Sequence, residues 1–311
     1  MKAFLKNLIL FLITLLPVVA ALTALLFAGI APQFEQSYNA AIIDKMARLR
    51  SLDSPKLVLV GDSNLAYGTD SAILEERFGL PVVNLALHGG LGNQFHERML
   101  QGELGEGDII VLCHTSYGDG TNIDTELAWI TIEDHFDLWP IVPPDARGEM
   151  LKTLPKYAVR CARLFITGTG NQETSDSYRR SAFNVYGDVA VERPDGIHEK
   201  TGAQHTGLLH YSETGIRHLN ELTAACEAAG ASLYVTAYPV MDDGHAPAPE
   251  KFRAVTDAMQ EELSCRIISD FEDYYFPPEM FFNTAYHMTS NGAHLRSLQL
   301  ADDLARALSA D

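Results

Sequence analysis

Three short segments contain the side chains whose types and spacing suggest chemistry. Gly61-Asp62-Ser63-Asn64 follows an apolar run and presents a serine hydroxyl at a turn. His88-Gly89-Gly90 follows a second apolar run, and glycines there let backbone N–H groups approach an oxygen closely. Near the chain end, Asn283 precedes His287 by four residues. A serine, an imidazole base and amide donors for an oxyanion predict acyl transfer through a covalent serine ester.

Strands that alternate with helices are expected to position these segments. Apolar, β-branched runs predict strands at 56–60, 81–87, 108–114, 232–239 and 265–271. Helical spacing of apolar residues predicts helices at 71–78, 93–104, 215–229, 249–263 and 291–308. This alternation predicts an α/β fold, a three-layer α/β/α sandwich of flavodoxin-like type with a parallel sheet. Ligands of such sheets bind beyond the carboxyl ends of the strands, where Ser63 follows the first strand.

The boundaries of this domain can be placed from changes in pattern. Residues 32–54 have apolar side chains at helical spacing, which predicts an amphipathic stalk before a domain at 55–311. Residues 115–214 break the alternation with scattered glycines, histidines and aromatic residues. We interpret them as an irregular insertion or as a cap over one end of the sheet.

The N-terminus predicts a membrane anchor. Residues 8–31 have no charged side chain, and about 20 apolar residues suffice to cross a bilayer as a helix. Lys2 and Lys6 precede this run, which favours a cytoplasmic tail at 1–7 and an exported body. A cleaved signal peptide is the alternative, but its apolar region is ordinarily roughly 7–15 residues long. Pro32 also follows the run directly, so a retained anchor is the prediction.

Composition excludes several functional classes. The chain has a formal net charge of -18, and Lys2 and Lys6 are the only charged residues before residue 35, so the body is strongly acidic. Such a body repels phosphate backbones, which argues against a nucleic-acid partner. The four cysteines are far apart, with no CxxC pair. Neither they nor four histidines between residues 198 and 218 show metal-ligand spacing, so we predict no metal and no other cofactor. These histidines are His198, His205, His210 and His218.

Together, the order and placement of the three segments resemble the SGNH (GDSL-like) hydrolase superfamily. The resemblance is greatest to its membrane-anchored branch associated with cell-surface polysaccharide modification, and it covers about residues 55–114 and 265–308. It implies a serine nucleophile, a glycine that donates to the oxyanion and a histidine base. The matching residues are Ser63, Gly89 and His287.

The chain departs from the family at the residue that orients the histidine. The family usually has an aspartate where this chain has Asn283, and Asp270 or Asp273 are the alternatives. An amide can accept the imidazole hydrogen bond, but it cannot stabilise the imidazolium by charge.

A second departure follows the third strand. The family often has Gly-x-Asn-Asp there, whose asparagine is a further oxyanion donor, and residues 113–119 contain no asparagine. Tyr117 or Ser116 is then the candidate to supply a hydroxyl, and Asn64 is a further candidate for oxyanion or substrate binding.

The resemblance implies a membrane-anchored serine esterase or O-acyltransferase that acts on ester groups of cell-envelope or exopolysaccharide carbohydrate. The alternative, which Asn283 favours, is a catalytically degenerate domain that binds glycan or scaffolds polysaccharide assembly. An anchored lipid or thioester hydrolase is a third option. The expected partners are an acylated carbohydrate or acyl donor, the membrane and polysaccharide-assembly proteins. The expected location is the bacterial inner membrane, with a single span and the C-terminal domain in the periplasm.

Overall fold

The chain is built around a parallel sheet of short apolar strands. The computed structural model describes residues 1–118, 123–172, 175–194, 196 and 207–310. The strands in this part of the chain are β1 (Leu57–Gly61), β2 (Val82–Asn84), β3 (Ile109–Cys113), β4 (Ser232–Val235), β5 (Val240–Met241), β6 (Arg266–Ile267), β7 (Tyr275–Phe276), β8 (Phe281–Thr284) and β9 (His287–Met288). Five of them form a sheet in the order β2-β1-β3-β4-β6, and all four pairs are parallel. The predicted α/β class with a parallel sheet is confirmed.

The interior strand β1, which pairs with both β2 and β3, explains why the sheet forms where it does. All five of its residues are buried, as expected for a parallel strand covered on both faces. At its carboxyl end, a Cβ on Gly61 would lie 2.1 Å from the Cys113 carbonyl oxygen, so β1 and β3 approach closely only because residue 61 is glycine. This close approach brings the segments after the two strands together.

The helices follow the predicted order. They are α1 (Lys2–Leu25), α2 (Ile42–Ser51), α3 (Ser63–Tyr67), α4 (Ser71–Phe78), α5 (Asn93–Arg98), α6 (Thr125–Ile132), α7 (Arg147–Thr167), α8 (Glu213–Ala228), α9 (Pro249–Glu262) and α10 (Ser290–Leu308). Helix α4 has its predicted bounds, and α8, α9 and α10 lie within two residues of theirs. Helix α5 ends earlier than predicted, because the chain turns at 99–103. The two β-pairs outside the main sheet, β5-β7 and β8-β9, were not predicted.

The segment predicted as a stalk packs against the domain. It contains α2, whose Ile42, Met46 and Leu49 are buried in the same core as the sheet. Lys45 on the same helix is also buried, and its ammonium group donates to the Asn84 carbonyl at 2.8 Å. The amphipathic spacing of residues 32–54 therefore reflects contact with the domain.

The middle segment is more regular than expected. Residues 115–214 include α6 and the 21-residue α7, which presents Met150, Tyr157 and Cys161 to the core. Pro155 lies inside α7, and because a proline ordinarily kinks or ends a helix, a helix over 147–167 is hard to predict from the sequence.

The N-terminal helix is long and apolar enough to cross a membrane, judged by its length and composition. It continues as a π-turn, Leu26–Ile30, that reaches the domain. There Leu26 is buried and the ring of Phe27 lies 4.6 Å from that of Phe136. The predicted N-terminal apolar helix is thus confirmed, and its last turn contacts the domain.

Candidate active site

Ser63 lies where strand β1 meets the short helix α3. Asp62 caps α3 by accepting a hydrogen bond from the Asn64 amide at 2.9 Å, and Ser63 is the first helical residue. The Asp62 carboxylate also accepts bonds from the amide and hydroxyl of Thr115, at 3.3 and 3.1 Å. These bonds fix the turn at the carboxyl edge of the sheet, where Ser63 is half-buried.

His287 lies on a hairpin near the chain end. Strands β8 and β9 pair antiparallel, with Thr284 opposite His287. The Thr284 hydroxyl accepts the His287 amide at 3.1 Å, which tightens the turn. The imidazole is buried and stacks on the ring of Tyr67, with the centroids 4.1 Å apart and the planes 10° from parallel. The ring is therefore held in one plane by backbone pairing and by an aromatic neighbour.

The structure brings the three predicted catalytic residues together. His287 Nε2 lies 2.9 Å from Ser63 Oγ, and His287 Nδ1 lies 2.9 Å from Asn283 Oδ1. Because a carbonyl oxygen can only accept, Nδ1 carries the hydrogen of the neutral ring, and Nε2 is left to accept the serine proton. This is the tautomer that a general base next to a serine requires.

Sequence reasoning missed a fourth member of this group. The Tyr178 hydroxyl accepts a hydrogen bond from Asn283 Nδ2 at 3.1 Å and lies 3.2 Å from His287 Nδ1. The bond directs the NH₂ group of Asn283 toward the tyrosine and its carbonyl oxygen toward the histidine. Tyr178 is 109 residues from His287 in a segment without periodic pattern, so no sequence signal connects the two.

Burial keeps the histidine neutral. Desolvation lowers the pKa of His287 to about 4, the Asp62 carboxylate opposes this shift, and His88 and Arg193 add to it. Among the described residues no carboxylate hydrogen-bonds to the ring. The imidazole is consequently a free acceptor at neutral pH, and its protonated form lacks a directly bonded counter-charge.

Two backbone amides next to Ser63 remain available. Gly89 begins a 3₁₀ turn, and a Cβ on it would lie 3.4 Å from Asp62 Cβ, so this turn packs against the serine turn. Neither the Ser63 nor the Gly89 amide donates to another of the described residues. Both amides are therefore candidate donors to an oxygen bound near the serine turn.

The side chains of Asn64 and Tyr117 do not reach this group. Asn64 is fully buried, and its carbonyl oxygen accepts from Arg296 Nη2 at 3.2 Å. The Tyr117 hydroxyl is also buried and accepts the His114 amide at 3.2 Å. Both side chains therefore belong to the hydrogen-bonded core below the site, which includes the buried guanidinium of Arg296.

The other candidates lie elsewhere. Asp270 caps a 3₁₀ turn by accepting the Glu272 amide at 3.1 Å, and Asp273 is exposed, so neither replaces the missing aspartate. The Ser116 hydroxyl donates to the His210 carbonyl at 3.3 Å. Within the part of the chain that the structure describes, no group of three or more His, Cys, Asp or Glu side chains is arranged to hold a metal. His198 and His205 lie outside the described residues.

Comparison with known proteins did not identify a similar protein. No protein-family model matches the chain, and neither curated proteins nor solved structures provide a match. The function has to be inferred from the geometry of the site.

Proposed function

We propose that the chain is an SGNH-type serine esterase or O-acyltransferase that acts on ester groups of cell-envelope or exopolysaccharide carbohydrate. The observation that carries the proposal is the 2.9 Å contact between Ser63 Oγ and His287 Nε2, at the carboxyl edge of a parallel sheet. The three-layer α/β/α arrangement of that superfamily belongs to the same proposal, as does placement of the domain on the periplasmic side of a bacterial inner membrane.

The reaction would proceed through an acyl-enzyme. His287 Nε2 takes the Ser63 proton while Oγ attacks the ester carbonyl, and the amides of Ser63 and Gly89 donate to the oxyanion. When the tetrahedral intermediate collapses, the C–O bond to the alcohol breaks, and His287 returns its proton to that alcohol. His287 then deprotonates water or a sugar hydroxyl, which attacks the acyl-enzyme; the bond between Ser63 Oγ and the acyl carbon breaks, and His287 returns the proton to Oγ. The products are a free acid in the first case and a new ester in the second.

Asn283 orients the His287 ring, which is part of the role of the aspartate usually found at this position. In serine proteases, an asparagine in place of the aspartate that orients the histidine lowers kcat by about 10⁴, because the histidine takes the wrong tautomer. Here the bond from Asn283 Nδ2 to Tyr178 turns the amide so that its oxygen faces His287. The correct tautomer is retained, and only the charge of an aspartate is missing.

A non-catalytic glycan-binding or scaffolding domain is the second candidate. The uncharged Asn283 and the lowered pKa of His287, about 4, favour it, because both reduce the ability of the ring to hold a proton during acyl transfer. The half-buried Ser63 and its bond to His287 favour catalysis.

The test is ester turnover by the full-length protein in detergent. We expect hydrolysis of p-nitrophenyl acetate and labelling by a fluorophosphonate, and we expect Ser63→Ala to abolish both. Ser309→Ala, at an exposed serine on the last turn of the chain, is the matched control and should retain both. Folded protein that shows neither turnover nor labelling would exclude the esterase and favour the binding domain.

A further inference from the structure

Helix α7 exposes an apolar stripe that no described part of the chain covers. Its buried residues face the core, but four large apolar side chains on the same helix are exposed, led by Ile166 at 82% and Val159 at 70%. At 100° per residue the four fall within an arc of about 120° beside the buried face. They are Leu151, Val159, Phe165 and Ile166.

The same helix is basic in an acidic protein. It contains five basic residues and one acidic residue, whereas the whole chain has a net charge of -18. Four of the basic residues fall within an arc of about 80° that borders the apolar stripe. They are Lys152, Lys156, Arg160 and Arg163.

Some of this charge is matched within the protein. Lys156 and Arg160 both pair with Glu126, and Lys152 pairs with Glu149. Arg163 forms no ion pair with a described residue, so the helix retains an excess of positive charge. An apolar stripe bordered by lysine and arginine is typical of helices that lie in a membrane interface.

Contact with the N-terminal anchor places α7 close to the expected membrane surface. The π-turn Leu26–Ile30 packs on α7, and the ring of Phe27 lies 6.3 Å from that of Tyr157. The apolar segment 8–31 is about 36 Å long as a helix, while the hydrocarbon core is about 30 Å thick. The last turn of the anchor therefore lies near the headgroups, and α7 lies beside it.

We propose that α7 lies in the membrane interface as a second contact with the bilayer. Its apolar stripe enters the boundary between headgroups and acyl chains, and its basic residues bind anionic headgroups. The occupant of this surface is thus an anionic lipid bilayer. The inference does not depend on the esterase proposal, because it uses no residue of the serine–histidine site.

Depth-dependent fluorescence quenching tests this placement in the full-length protein, reconstituted into bilayers. An environment-sensitive probe is attached at Ile166→Cys, with Ala254→Cys on α9 as the control, since α9 packs by β6 at the far edge of the sheet. The native cysteines are buried and do not compete for the label. We expect lipids with a nitroxide near the headgroup to quench the probe at 166 and not the probe at 254, and we expect aqueous iodide to show the reverse.

The charge contribution is tested by lipid composition. Bilayers with anionic lipid should quench the 166 probe more than zwitterionic bilayers do. Arg163→Gln should reduce the ratio of docked to free α7 about fivefold, which corresponds to about 1 kcal/mol for one arginine near an anionic surface. Arg217→Gln, on the exposed face of α8, should leave the ratio unchanged.

Three results would overturn the proposal. Equal iodide quenching at 166 and 254 would show that α7 faces water. Protection of 166 from both iodide and lipid nitroxide would show that protein, such as a second copy of the chain, covers the stripe. Equal lipid quenching in anionic and zwitterionic bilayers would overturn the assignment of anionic headgroups.

Discussion

The two ends of β1 hold buried polar groups in opposite ways. Just before its amino end, the Lys56 ammonium meets the Asp108 carboxylate at 2.8 Å, with only 3% and 0% of the two side chains exposed. Asp108 also accepts the amides of Lys56 and Gly105, at 3.0 and 2.9 Å. Beyond its carboxyl end, His287 bonds to the neutral amide of Asn283. One end holds a permanent, fully paired charge, and the other holds a base without a partner charge.

Under the proposed function, this difference separates a structural pair from a catalytic one. Burying an ion is costly unless its partner and its hydrogen bonds are all present, and the Lys56–Asp108 pair meets that condition in the resting protein. At the other end burial keeps the pKa of His287 at about 4, so the ring is neutral and ready to accept a proton. In the proposed reaction, a charge would appear there only when the Ser63 proton moves to the ring.

Removing one ion of the structural pair should have the largest effect. Asp108→Asn leaves the Lys56 ammonium buried without its counter-charge, and we expect the free energy of unfolding to fall by about 3–5 kcal/mol. Chemical denaturation of the full-length protein in detergent measures this. Asp302→Asn, which removes an exposed carboxylate 3.6 Å from Arg77, is the control and should change stability by less than about 1 kcal/mol.

The double variant Lys56→Met with Asp108→Asn distinguishes the lost charge pairing from other effects of the substitution. It removes both charges, an amide oxygen at position 108 can still accept a backbone N–H, and part of the lost stability should return because no unpaired ion remains. If Asp108→Asn proves no more destabilising than Asp302→Asn, the amino end of β1 does not depend on its ion pair, and the contrast with the carboxyl end fails.

Adding a charge at the reactive end should change the chemistry instead. Asn283→Asp places a carboxylate at Nδ1, which stabilises the imidazolium and raises the pKa of His287 from about 4. We expect kcat for p-nitrophenyl acetate to rise by about tenfold to a hundredfold, a part of the roughly 10⁴ that the charge and tautomer contribute together in serine proteases.

The pH profile provides a second measurement of the same change. The base must be unprotonated, so kcat/KM of the native protein should fall only as pH drops through about 4. In Asn283→Asp the raised pKa moves this fall to higher pH. Asn291→Asp, which adds a carboxylate on the exposed start of α10, is the control for general charge. An unchanged rate and an unchanged profile in Asn283→Asp would contradict His287 as the base.

The sequence predicts the strands and helices around the Ser63–His287 site better than it predicts the side-chain contacts that orient these residues. The uninterrupted apolar runs at β1 and β3 predict a parallel sheet, and such a sheet fixes the edge at which Ser63 stands. The resemblance supplied His287 and Gly89, and the structure places His287 against Ser63 and Gly89 against the preceding residue, Asp62.

Two kinds of contact could not be predicted from the sequence: contacts between residues far apart in the chain, and contacts made by a charged side chain that is buried. Arg296 occupies the buried face of α10 and donates to the Asn64 and Gly68 carbonyls at 3.1 and 3.2 Å, although arginine is almost never fully buried. Spacing along a helix gives no sign of a partner 232 residues away. The same holds for Tyr178, which decides how Asn283 is oriented.

The smallest expected effect tests that orientation. Tyr178→Phe removes the acceptor of Asn283 Nδ2, so the amide can turn its NH₂ group toward His287 and favour the tautomer with hydrogen on Nε2. One hydrogen bond is worth about 1 kcal/mol, and we expect kcat to fall about fivefold. Tyr275→Phe, which also removes a hydrogen-bonded, half-buried hydroxyl but lies on β7 away from the site, should leave kcat unchanged.

The same substitution in the Asn283→Asp protein distinguishes a lost orientation of Asn283 from a general loss of structure at the site. A carboxylate has two equivalent oxygens and cannot present a wrong face, so Tyr178→Phe in the Asn283→Asp protein should cost little activity. ¹⁵N spectra of His287 report the tautomer directly: Nδ1 should carry the hydrogen in the native protein and lose it in part in Tyr178→Phe. Equal losses of kcat in both backgrounds, with no change of tautomer, would mean that Tyr178 supports the packing around Tyr67 and His287 without orienting Asn283.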